Sequence, residues 1–276
     1  MLAGGSALTI ALPPRFRLRV GPTPGQAFHP DSPAGRWAKL RGVALAHEWL
    51  EAPHRGWGSS TAEFAAVFAH LLGASGPVSD AASWLAADEA YRKVHATEAL
   101  PPSGADLAVQ WAGGLGVLKR QDQPVWTQLP WLSDGARASL SLFSAAHQEG
   151  RKTPTHLHLA RMEAHLGKLQ SLVLPSERGV EIFRKEEWRE LGAWIRGWVG
   201  QLGALGFEHP ATRADRLVFE GISGVYGAKG CGAMLSDSLL VVHAADAQGR
   251  VRAAGEGLGL EWVSIPSESV PGITRE

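Results

Sequence analysis

The stretch RGWGSSTAEF sets Gly56 and Gly58 around Trp57 and follows them with three hydroxyl residues, Ser59, Ser60 and Thr61, before the apolar run AEFAAVFAHLL. Phe64, Val67, Phe68 and Leu71 in that run share one helical face. A glycine-rich turn feeding a helix start leaves unpaired N–H groups where the helix dipole is positive, so an anion such as phosphate is well served there. The same residues also describe a capped helix after a loop, since Ser and Thr are good N-caps. In PPSGADLAVQWAGG a Pro/Gly/Ser turn leads into a second apolar helix, and Asp106, taken by itself, is a cap for a helix starting near Leu107. THLHLARMEAH offers His156, His158, Glu163 and His165 as metal ligands. On a helix His156 and His158 point about 200° apart and only His158 and His165 share a face, so no metal site is expected.

Elements of both kinds must position these residues. SALTIAL (6–12) and RFRLRV (15–20) read as strands, the second strictly alternating, and the short Pro13-Pro14 connection suggests a hairpin. GPTPGQAFHPDSPAG reads as a loop, Arg36 to Leu50 as a helix, and residues 80 to 99 as another. GVLKR is a strand. SDGARASLSLFSAAHQEGRKTPTHLHLARMEAHLGKL holds a strand, a loop and a helix, and the domain crossing is placed there, giving domains 1–138 and 139–276. The charged run ERGVEIFRKEEWRE is read as a solvated helix face. Helices near 185–205 and 212–225 precede the glycine-rich loop of GAKGCGAMLSDSLLVVHAAD and its strand SLLVVHAA. Strands and helices mix without regular alternation, which favours α+β.

Composition narrows the partners. The 276 residues carry 27 basic and 27 acidic side chains, a balance that argues against nucleic acid or an anionic membrane surface. The single Cys231 excludes an internal disulfide framework and fits a reducing compartment. No apolar run approaches the roughly 20 residues of a membrane span, and the N-terminal segment reads as a strand instead of a signal. A soluble cytoplasmic protein, monomeric or homodimeric, is expected.

Three stretches taken in order, GWGSSTA (Gly56 to Ala62), Pro102-Ser103-Gly104 with Asp106 and Gly113-Gly114, and Ala228-Lys229-Gly230-Cys231-Gly232-Ala233, resemble the phosphate loop, catalytic segment and C-terminal loop of the GHMP kinases. LGALGFEHPATRADRLVFEG resembles the helix pair before that last loop in mevalonate-type members. The resemblance implies a two-lobed α+β fold, with an N-terminal lobe like ribosomal protein S5 domain 2 and a ferredoxin-like C-terminal lobe, and ATP and Mg²⁺ bound between them. It implies that Gly56, Trp57, Gly58, Ser59, Ser60 and Thr61 bind phosphate, that the Ser60 hydroxyl reaches Mg²⁺, and that Asp106 is the base. Ser103, Gly104, Lys229, Cys231, Gly232, Thr153 and Thr155 fall in segments that the resemblance places near substrate.

The sequence departs from the family in three places. His95 stands where some members have a metal-holding Glu; His is a poor ligand for Mg²⁺, and phosphomevalonate kinases carry a His about there. Met234, Leu235 and Ser236 replace small residues after Ala233. The chain opens at Met1-Leu2-Ala3-Gly4-Gly5, which resembles the end of the family's first segment without its lysine, so the natural reading frame is expected to start upstream. The resemblance implies an ATP-dependent kinase acting on mevalonate or phosphomevalonate in isoprenoid precursor synthesis. The alternatives are a sugar or homoserine kinase, and a catalytically impaired nucleotide-binding homologue.

Overall fold

The computed structural model describes residues 5–13, 15–22, 25–51, 58–73, 80–96, 98, 102–120, 123–145, 148, 165–170, 172–231 and 238–274. The chain divides into two compact units, Met1–Trp131 with Glu268–Glu276, and Leu132–Ser267. The break therefore falls twice, at 131 and again at 267, where sequence suggested one cut after 138.

In the first unit β1 (Gly5–Ile10) pairs antiparallel with β5 (Leu115–Arg120), and β5 with β6 (Pro124–Leu129). A second sheet has the order β2 (Leu18–Gly21), β4 (Ala46–Trp49), β3 (Gln26–Ala27). The expected hairpin of the first two strands is thus not formed: each joins a different sheet. Tight hairpin turns need positive φ at their central residues, which proline denies, and alternation by itself names no partner. The helix expected over 36–50 is also corrected. α1 (Pro33–Leu40) ends before Gly42, whose φ is 66°, and AHEW becomes the central strand β4.

Three further helices, α2 (Ser59–Leu72), α3 (Ala81–Val94) and α4 (Ala105–Ala112), enclose the larger core of this unit. Phe64 and Phe68 of α2, Trp84 and Tyr91 of α3, Leu107 and Trp111 of α4, and Leu118 of β5 are all buried in it. Alanines at 65, 69, 87, 90 and 108 let the helices approach closely between the large rings. Asp80 caps α3, its carboxylate accepting from the Ser83 amide at 2.9 Å.

The second unit is built on α5 (Asp134–Ser139), β7 (Leu140–Ser144), α6 (Leu166–Gln170), α7 (Val173–Arg184), α8 (Trp188–Ala204), α9 (Pro210–Glu220), β8 (Val225–Cys231), β9 (Ser238–His243), α10 (Gln248–Gly257) and β10 (Glu261–Val263). Its antiparallel sheet has the order β10-β7-β9-β8. With helices between β7 and β8 and between β9 and β10, this is the ferredoxin-like arrangement. Phe143, Phe219, Ala228, Leu239, Val241 and Val251 form its core. Gly192 of α8 packs directly on β8, where a Cβ would overlap Tyr226. The charged run at 177–190 is two helices, not one solvated face: the chain breaks at Glu186 (φ 55°), and Val180, Ile182 and Phe183 are buried. Among the described residues no helix is long and apolar enough to cross a membrane.

Candidate functional site

Both stretches singled out at helix starts begin with a glycine in the left-handed region. Gly58 (φ 82°, ψ 31°) precedes α2 and Gly104 (φ 72°, ψ 8°) precedes α4, and as N-caps neither glycine supplies a side-chain acceptor. A side chain at either position is strained, so the glycines are needed for backbone reasons. Ser60 and Asp106 are each the second residue of their helix and each is exposed. Neither is the N-cap of its helix, and Asp106 stands as an acidic residue in the first turn of α4.

The first intrahelical bonds are Ala62 N–H to Gly58 O and Ala108 N–H to Gly104 O, both 2.9 Å. The amides of Ser59 to Thr61 therefore have no acceptor within their own helix, and they sit at the positive end of a 14-residue dipole. The start of α2 packs on α4: Gln110 Nε2 donates to Gly58 O at 3.0 Å. A Cβ placed on Gly58 would lie 3.7 Å from Asp106 Cβ and 3.8 Å from its Cγ. An exposed carboxylate thus stands beside the uncapped start of α2, and α2, α3 and α4 share one core.

Thr61 turns inward instead. It is buried, and its hydroxyl lies 3.2 Å from the Tyr91 hydroxyl. Burial pushes the Tyr91 phenol up to about 12, with Asp106 and Glu98 adding in the same direction against the Thr61 bond. Glu63 is engaged on β4: its Oε1 is 3.9 Å from His47 Nε2, and it bonds the side chain of Trp49. Burial raises its pKa, opposed by His47 and by the Trp49 bond.

His95 closes α3. Its Nδ1 lies 2.7 Å from Glu98 Oε1, and that oxygen also accepts from Arg36 Nη1 at 3.1 Å. A carboxylate can only accept, so Nδ1 carries the hydrogen, and the buried Nε2 has no partner among the described residues. Among the described residues no three His, Cys, Asp or Glu side chains are grouped to hold a metal ion.

Behind the second helix start, Ser103 Oγ accepts from the Ala105 amide at 3.3 Å, and its carbonyl accepts from Arg120 Nε at 2.7 Å. Lys229 and Cys231 belong to the second unit and lie in β8, paired with Leu240 and Ser238, where a loop was expected. The Lys229 ammonium is 3.6 Å from Cys231 Sγ. Gly56, Trp57, Gly232, Thr153 and Thr155 lie outside the described residues, as do three of the four candidate ligands of the 155–165 stretch; His165 packs its ring on Phe207. Sequence reading did not find Tyr91, Gln110, Asp88 or Arg120. Nothing local marks them, because each matters through a residue 17 to 52 positions away.

No family model matches the sequence, and no curated protein matches it by sequence. Solved structures do match in shape. A Lin0012 protein from Listeria innocua superposes with a TM-score of 0.71 at 13% identity, over 98% of this chain and 93% of that one. The Streptococcus pneumoniae phosphomevalonate kinase in complex with phosphomevalonate and AMPPNP gives 0.69 at 13% identity, over 98% and 94%. The Lactococcus lactis galactokinase complexed with galactose gives 0.65 at 10% identity, over 98% and 90%. The chain has the α+β fold of the GHMP kinases.

Proposed function

We propose that the chain is an ATP-dependent small-molecule kinase whose acceptor is mevalonate or phosphomevalonate. The observation that carries this reading is the apposition of Gly58 and Asp106, which puts a carboxylate beside uncapped helix amides. Phosphoryl transfer asks the protein chiefly to position its reactants and neutralise charge. When bound, ATP supplies the γ-phosphoryl group and Mg²⁺ supplies charge neutralisation. The amides from Gly58 to Thr61 hold phosphate oxygens, and the exposed Ser60 hydroxyl is available to the metal. With a hydroxyl acceptor, Asp106 takes the proton as the new P–O bond forms and the bond to the β-phosphate breaks, releasing ADP. The acceptor reading is supported by His95, by Ala228-Lys229 with Asp237, and by the LGFEHP segment, each through resemblance.

The test is ATP consumption with mevalonate, phosphomevalonate, galactose and homoserine, for the wild type and Asp106→Ala. One of the first two acceptors should drive turnover. The variant should lose about 10²- to 10⁴-fold in kcat, the usual contribution of a general base, while ATP still raises the melting temperature. Turnover with galactose or homoserine alone would replace the acceptor. A protein that neither turns over nor is stabilised by ATP is no kinase.

A further inference from the structure

Asp88 and Arg120 are among the most buried charges of the first unit, 2% and 7% exposed, and the reaction outlined above uses neither. They meet in a bidentate pair, Nη1 to Oδ2 at 3.0 Å and Nη2 to Oδ1 at 2.5 Å. Arg92 Nε approaches the same Oδ2 at 3.4 Å from one helical turn further on. A planar guanidinium whose two terminal nitrogens are fixed by a carboxylate has one direction left for its Nε–H. Here that hydrogen goes to the carbonyl of Ser103 at 2.7 Å. Ser103 is followed by Gly104, on whose Cα the pair also packs: a Cβ there would overlap Arg120 Nη2 and lie 2.9 Å from Asp88 Oδ1. The pair, the carbonyl and the left-handed glycine are thus mutually fitted, and the second residue beyond that glycine is Asp106.

We propose that Asp88 and Arg120 are positioning residues for Asp106, holding the Ser103–Gly104 turn so that the carboxylate stands at the start of α2. The functional part of this inference rests on the kinase reading; the structural part does not. A fold that needed only stability at this place would be equally well served by apolar side chains, because the desolvation of a buried ion pair offsets most of its attraction. The pair instead delivers a direction, a single hydrogen bond aimed at one carbonyl.

The experiment compares Arg120→Lys with a Asp88→Met/Arg120→Met double variant, which leaves no lone buried charge. Three quantities are read: melting temperature, kcat and KM for ATP, and amide hydrogen exchange at Ala105 to Ala108. In the double variant the fold should persist, with exchange in those amides accelerated at least tenfold while α2 is unchanged, kcat reduced at least tenfold, and KM for ATP within threefold of wild type. Lysine should rescue part of kcat. Unchanged exchange at Ala105 to Ala108 overturns the proposal, as does a loss that spreads evenly over exchange, kcat and KM with a lowered melting temperature. If the wild type consumes no ATP, the kinase reading fails by itself, and the exchange difference still decides whether the pair holds the turn.

Discussion

Gly58 and Gly104 serve two helix starts by the same left-handed backbone, each an N-cap without a side chain of its own. The substitution Gly58→Ala meets two obstacles, a φ of 82° and a contact of 2.8 Å with Gln110 Nε2. Left-handed backbone costs an alanine about 1–2 kcal/mol, so the melting temperature should fall by a few degrees, about 2–4 °C for each kcal/mol in a chain of this size. ATP affinity should fall about tenfold in a binding titration, because the new methyl group occupies the space beside Asp106; unchanged affinity would remove Gly58 from the phosphate site. Single residues such as these were legible in the sequence. Glycine before Ser-Ser and glycine before Ala-Asp announce a special backbone, whereas the inward turn of Thr61 toward Tyr91 depends on a partner 30 residues away and carries no local signal.

At the scale of elements, α4 is fixed at both ends. Its start is held by Arg120, and its end by residues 270–273: Gly114 N–H donates to Val270 O at 2.7 Å, and Ile273 N–H to Trp111 O at 3.2 Å. Gly113, at φ 74° and ψ −173°, lies in a region open essentially to glycine, and a Cβ there would overlap the Gly272 backbone. Gly113→Ala should therefore destabilise the first unit by about 1–3 kcal/mol, measured by urea unfolding; a smaller effect would mean that the C-terminal segment yields easily. Periodicity marked an apolar face for α2, with Phe64 and Phe68 now in the core, and marked α3 and α4 as helices without naming their core residues. It missed β4 and turned β8 into a loop. AHEW is too short to show alternation, and the glycines in YGAKGC read as turn residues, although in the sheet Gly227 admits the close approach of Gly192 in α8.

For the whole molecule, the second unit carries its own pH dependence. His243 is fully buried; its Nδ1–H donates to Ala244 O at 2.9 Å and its Nε2 lies 2.6 Å from Ser141 Oγ, which can donate to the neutral ring. Burial draws its pKa below the ordinary 6.5, against smaller opposing effects of the Ala244 bond and Asp246. Above 6.5 both folded and unfolded chains hold the ring neutral and stability is complete. As pH falls below that value the unfolded chain takes up a proton that the folded chain refuses, and stability declines until the folded value is passed. Melting curves from pH 8 to 5 should therefore slope more steeply for wild type than for His243→Gln; parallel slopes would assign the dependence to another group. The two-unit fold was legible in the order of the three motifs, but the return of residues 268–274 to the first unit was not, since nothing in SESVPGI names Gly113 as its destination. That return sets a timetable for synthesis. The chain from 132 to 267 must leave the ribosome before the segment that latches the far end of α4 exists, so the helix bearing Asp106 is translated early and secured late. A nascent chain halted anywhere in the second unit already contains every residue of that helix, and still lacks its clasp.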